Sequence, residues 1–86
     1  MSQLSQLKAQ INQIANNIGQ TAVSMNSFSQ NLQKQIGAIS SVIGGTASNE
    51  DQQMVVALQL AVKSVQDAAV QLQAASTKAK DWAAKA

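Results

Sequence analysis

Two apolar rows in four-three spacing, separated by a pair of glycines, constrain this chain more than any other feature. Leu4, Ile11, Ile18, Met25, Leu32 and Ile39 recur every seven residues, and Leu7, Ile14, Phe28 and Val42 stand three residues after four of them. Beyond Gly44-Gly45, the residues Met54, Leu58, Ala61, Val65, Ala68, Leu72, Ala75, Ala79 and Trp82 alternate steps of four and three. Such spacing places one side chain per helical turn on a single stripe, the pattern of a helix that packs along a coiled-coil seam. A diglycine lets a helix stop and the chain reverse. The expectation is an all-α fold: an antiparallel two-helix hairpin, with helix one over about residues 3–43, a turn over 44–48 and helix two over about 49–83.

Local signals sharpen the boundaries. Ser2 or Ser5 can cap the first helix, and Gly44 or Gly45 can take the left-handed conformation that ends it. Ser48 followed three residues later by Asp51 reads as a capping box, and Glu50 with Asp51 opposes the positive end of the second helix dipole. Lys78, Lys80 and Lys85 suit the negative end of the same helix. The weakest stretch of helix one is Asn16-Asn17 with Gly19, where the sequence predicts a kink or local loosening, or else a close approach by a second helix. The absence of proline fits uninterrupted helices.

The two rows differ in bulk. Helix one supplies Leu, Ile, Met and Phe, whereas helix two supplies Ala61, Ala68, Ala75 and Ala79 between Leu58, Val65 and Leu72. Large against small is how facing layers interdigitate, so the rows are expected to face each other within the hairpin. Helix two then carries more apolar residues than one seam uses: Val55, Val62 and Ala69 on one flank, Val56, Leu60 and Val70 on the other. Val55, Val56, Leu60, Val62 and Val70, with the lone Trp82, are therefore the expected partner-binding residues, since a surplus apolar face marks an interaction site.

Composition argues against most chemistry. The 86 residues hold no Cys and no His, six basic residues and four acidic ones. The usual metal ligands, the thiolate nucleophile and the general base are all missing. Glu50 and Asp51 belong to a helix start, and Asp67 and Asp81 are isolated, so no carboxylate pair, phosphate loop or activated nucleophile is visible. No enzyme activity, cofactor, metal or small-molecule substrate is expected. All basic residues are Lys and the aromatics are only Phe28 and Trp82. That leaves no means for phosphate forks or base stacking, and nucleic acid is not an expected partner. No segment reaches the roughly 18 apolar residues of a membrane span. The N-terminus has no basic stretch followed by an apolar core, so any export would use a route that needs no signal peptide. The polar filler is mostly Gln, Ser and Asn, which suits helices lying against other helices as well as it suits a plain solvated face.

The layout resembles the WXG superfamily of type VII (ESX) secretion substrates. The likeness covers nearly the whole chain in length, helix placement and turn position. The family's Trp-x-Gly falls on Ile43-Gly44-Gly45, with Gly45 on the glycine, followed by Thr46-Ala47 and the acidic helix start at Glu50-Asp51. Two positions depart from the pattern: Ile43 stands where the tryptophan belongs, and Trp82 is followed at the export-signal spacing by Ala86 rather than an acid. The chain is accordingly more similar to the WXG-like partners that accompany LXG-domain toxins in Gram-positive bacteria. The resemblance implies pairing into a four-helix bundle, binding to the helical N-terminal domain of an LXG-type toxin, and a chaperone or targeting role in its export. It implies a cytoplasmic protein, or one co-secreted with its cargo. Other readings are a secreted WXG-like homodimer, a filament or needle-type subunit, against which the missing turn proline counts, and a structural coiled-coil segment.

Overall fold

A computed structural model describes residues 3–44 and 48–86 of the chain. It holds two α-helices, α1 from Gln3–Ile43 and α2 from Asn49–Lys85, packed along their lengths as a hairpin. The molecule measures 68 × 16 × 13 Å, a rod one helix pair thick. That length agrees with a rise of about 1.5 Å per residue over helix one.

The two helices begin and end differently. The Ser48 hydroxyl accepts from the Asp51 amide at 3.2 Å, and the Ser48 amide donates to the Asp51 carboxylate at 3.1 Å. This capping box satisfies two amides that the first turn of α2 would otherwise leave open. Glu50 and Asp51 lie in that turn and Lys85 in the last, so both ends of α2 carry the charge its dipole favours. Helix α1 has neither acidic residues in its first turn nor basic ones in its last. It ends at Gly44, whose φ of 61° is the left-handed conformation expected there. Gly45, Thr46, Ala47 and Ser2 lie outside the described residues.

Helix α1 runs unbroken through Asn16-Asn17 and Gly19. A Cβ on Gly19 would sit 3.4 Å from the Ser76 hydroxyl oxygen, so this glycine marks close helix approach rather than a break in the helix. Ser76 donates a 2.7 Å hydrogen bond to the Ala15 carbonyl of α1. That bond sets the antiparallel register, in which Ala22 lies level with Ala69 and Ser29 with Val62.

The seam departs from the sequence expectation by half of its rows. The most deeply buried residues are Ala15, Ala22, Ser29 and Ile36 on α1, and Val62, Ala69, Ser76 and Ala83 on α2. We label this the a row. The half-buried row beside it, d, holds Ile11, Ile18, Met25, Leu32 and Ile39 on α1 and Leu58, Val65, Leu72 and Ala79 on α2. The d row was part of the expected stripe. Its expected companions three residues onward, the g row, are turned outward: Leu7, Ile14, Phe28 and Val42 on α1, and Met54, Ala61, Ala75 and Trp82 on α2, are all exposed. The reason is steric. Four residues after Ile11, Ile18 and Met25 of α1 come Ala15, Ala22 and Ser29, whose short side chains let two backbones approach closely. The g row, with Phe28 and Ile14, would hold the backbones apart.

Candidate functional site

The positions of the other rows show how the hairpin's two broad sides differ. One shallow groove is lined by Gln33, Gln59 and Gln66 together. Another brings Asn26 beside Gln73, and a third, near the turn, joins Ser40 to Gln52. These residues occupy the row flanking a on the side away from d, so both helices put their amide-bearing rows on one side of the hairpin. Their d and g rows therefore share the other side.

That side is largely apolar along the rod, interrupted on α1 by Thr21 and Gln35 and on α2 by Asp51. Its α1 half is bulky: Leu4, Leu7, Ile14, Phe28 and Val42 are exposed hydrophobics beside the half-buried d row. Its α2 half is shallow, with Ala61, Ala68 and Ala75 in the g row between Met54 and Trp82 at the ends. Of the six Lys and four acidic residues, only Asp51 lies on these rows, and its carboxylate is engaged by the Ser48 amide. Thr21, the small member of the α1 g row, donates its hydroxyl to the Asn17 carbonyl at 3.0 Å. Its polar atom is thus satisfied within its own helix, and the residue can be covered without leaving a donor unpaired.

The residues expected from sequence to bind a partner do not form one surface. Val62 is buried between the two helices, and Val55 is half-buried in the same row. Neither is open to a partner while the hairpin is closed. Val56 and Val70 are exposed but flank the amide-rich side, where they line grooves. Leu60 is exposed on the outer side of α2. Trp82 alone of the set lies on the d/g side, in the last turns of α2, whose end is closed by the Ala86 amide donating to the Trp82 carbonyl at 2.9 Å. Ile43 is half-buried at the end of α1, and Gly44 forms the turn entry. Leu7, Ile14, Phe28 and Val42 form a stripe in the sequence whose spacing points to the seam, yet they face outward. The signal that separates the two assignments is the run of short residues at Ala15, Ala22 and Ser29.

Among the described residues, no three His, Cys, Asp or Glu side chains come together as a metal site, and no helix is long and apolar enough to cross a membrane. No protein-family model, curated protein or solved structure matches this chain.

Proposed function

We propose that this chain is a non-enzymatic docking protein of a Gram-positive type VII secretion system. In this reading its d/g side packs against the helical N-terminal domain of an LXG-type toxin, completing a four-helix bundle, and the pair is presented for export from the cytoplasm without a signal peptide. One observation carries the reading: a largely apolar side, built from both helices and carrying one acidic residue, Asp51, that no third element among the described residues covers. Among the described residues the largest fully buried side chains are serines, so the hairpin buries little apolar bulk by itself. Small domains of that kind gain stability by association. The WXG-like placement of Ile43-Gly44-Gly45 and of the capped acidic start at Glu50-Asp51 supplies the secretion context.

The test is co-expression with the N-terminal helical domain of an LXG toxin encoded beside this chain, followed by affinity capture and size-exclusion chromatography. The expected result is a stoichiometric complex that Phe28→Asp disrupts and Leu60→Asp preserves. A folded chain that fails to retain any neighbouring toxin domain would refute the reading.

A further inference from the structure

We propose that the end of the rod opposite the turn docks onto an anionic lipid surface through Trp82 and the lysines around it, and holds the turn end away from that surface.

The rod is electrically polar. Lys8 on α1 and Lys78, Lys80 and Lys85 on α2 are four of the six lysines. The register of Ser76 against Ala15 brings all four to the end away from the turn. Asp81 is the one acid among them. Between residues 35 and 62, around the turn, the chain has Glu50 and Asp51 and no lysine. Four lysines less one aspartate leave +3 at one end, and two acids leave −2 at the other. An anionic surface attracts the first end and repels the second, which favours a rod standing on its basic end over one lying along its length.

The helix dipoles account for little of this clustering. Only Lys85 lies in the last turn of α2, and the dipole's effect fades beyond that turn. Lys8 stands near the start of α1, the end at which a dipole disfavours a cation.

The side chains at this end match a bilayer interface. Lys78 and Lys85 stand four residues before and three after Trp82, and so share its face of α2. The same register puts Leu7 within one turn of the level of Trp82. Leu4, Leu7 and Trp82 are all exposed. An indole settles at headgroup depth, and a lysine stem lies along apolar surface while its ammonium reaches a phosphate. All six basic residues are Lys. Lysine is a point charge without the fork that grips a single carboxylate, so the cluster suits a diffuse sheet of headgroups better than a defined acidic site on a protein. The contact is peripheral: no described helix is long and apolar enough to cross a membrane.

Trp82 is the sole tryptophan, so indole fluorescence of the purified chain reports this end alone. The chain is titrated with vesicles of phosphatidylglycerol mixed into phosphatidylcholine, and with vesicles of phosphatidylcholine alone. The expected result is a blue shift and binding on the anionic vesicles, weakened by salt, and neither on the neutral ones. Each lysine near such a surface is worth about fivefold in partition. Lys78→Gln combined with Lys85→Gln is therefore expected to weaken binding about 25-fold, whereas Lys34→Gln, far from this end, leaves it unchanged. With no native Cys, Val42→Cys can carry an environment-sensitive dye on the exposed row at the turn end, and that dye is expected to keep its spectrum. Equal binding to neutral vesicles, or a double variant that binds like the native chain, overturns the proposal. So does a dye at residue 42 that shifts with Trp82, which would mean that the rod lies flat. Binding to polyglutamate without binding to anionic vesicles also overturns it, in favour of an acidic protein partner. Capture of a toxin domain is a separate measurement, and none of these outcomes alters it.

Discussion

Ser29 and Ser76 occupy the same row on opposite helices, are equally buried, and differ in one respect. The Ser76 hydroxyl donates to the Ala15 carbonyl across the seam, whereas the Ser29 hydroxyl has no hydrogen-bond partner. A buried hydroxyl without a partner costs about 1–3 kcal/mol, and Ala is also the better helix former. Ser29→Ala is therefore expected to stabilise the hairpin by about 1 kcal/mol in urea unfolding. Loss of stability on that substitution would show that the hydroxyl is satisfied in solution. Gly37 offers a second residue-scale test. It is exposed within α1, and nothing lies within 4 Å of where its Cβ would be. Gly37→Ala should add about 1 kcal/mol, the difference in helix propensity. Gly44, at a φ of 61°, should respond in the opposite sense by about 1–2 kcal/mol, because a Cβ is strained in that conformation.

At the scale of the helices, the boundaries were the most legible part of the sequence. The start of α2 follows from Ser48 and Asp51, whose side chains and amides can reach each other only at that spacing, and the end of α1 follows from Gly44. Ser48→Ala is expected to cost about 1 kcal/mol, the usual worth of an N-cap, visible as a lower urea midpoint with an unchanged slope. The pairing of the faces was half legible. The d row follows from the apolar spacing on both helices. Its partner row does not, because apolar periodicity weights Phe28 and Ile14, three residues onward, above Ala22 and Ser29. On α1 the contact follows the row with Ala15, Ala22 and Ser29, whose short side chains let the backbones approach closely, whereas on α2 the outward Ala61 and Ala75 are no bulkier than the buried Val62, Ala69 and Ser76. The same weighting puts Val62 on the surface, although it is the residue level with Ser29 in the buried row. The amide-rich side of the hairpin had no apolar signature and emerged only from the register of the two helices.

At the scale of the molecule, the division between a narrow small-residue seam and a broad apolar side separates what holds the hairpin together from what it presents. The consequence can be measured through Phe28, which remains more than half exposed in the hairpin, at 55 %. If the hairpin acted alone, Phe28→Asp would be a surface substitution, worth within about 0.5 kcal/mol. If the d/g side is covered by a second hairpin, the same substitution removes a buried aromatic anchor and places a carboxylate in an apolar interface. Such a change costs at least about 2 kcal/mol. Mass action adds an independent signature. A pair that folds and associates together has a melting temperature that rises with protein concentration, and a monomer does not. Thermal unfolding followed by circular dichroism over a hundredfold range of concentration, roughly 2.7 kcal/mol of linkage, should shift the native chain and Leu60→Asp upward together. Phe28→Asp should melt lower and at one temperature throughout. Superimposable melts for the native chain at all concentrations, with Phe28→Asp unchanged from it, would mean that the exposed side contributes nothing to folding and that the small-residue seam is sufficient alone.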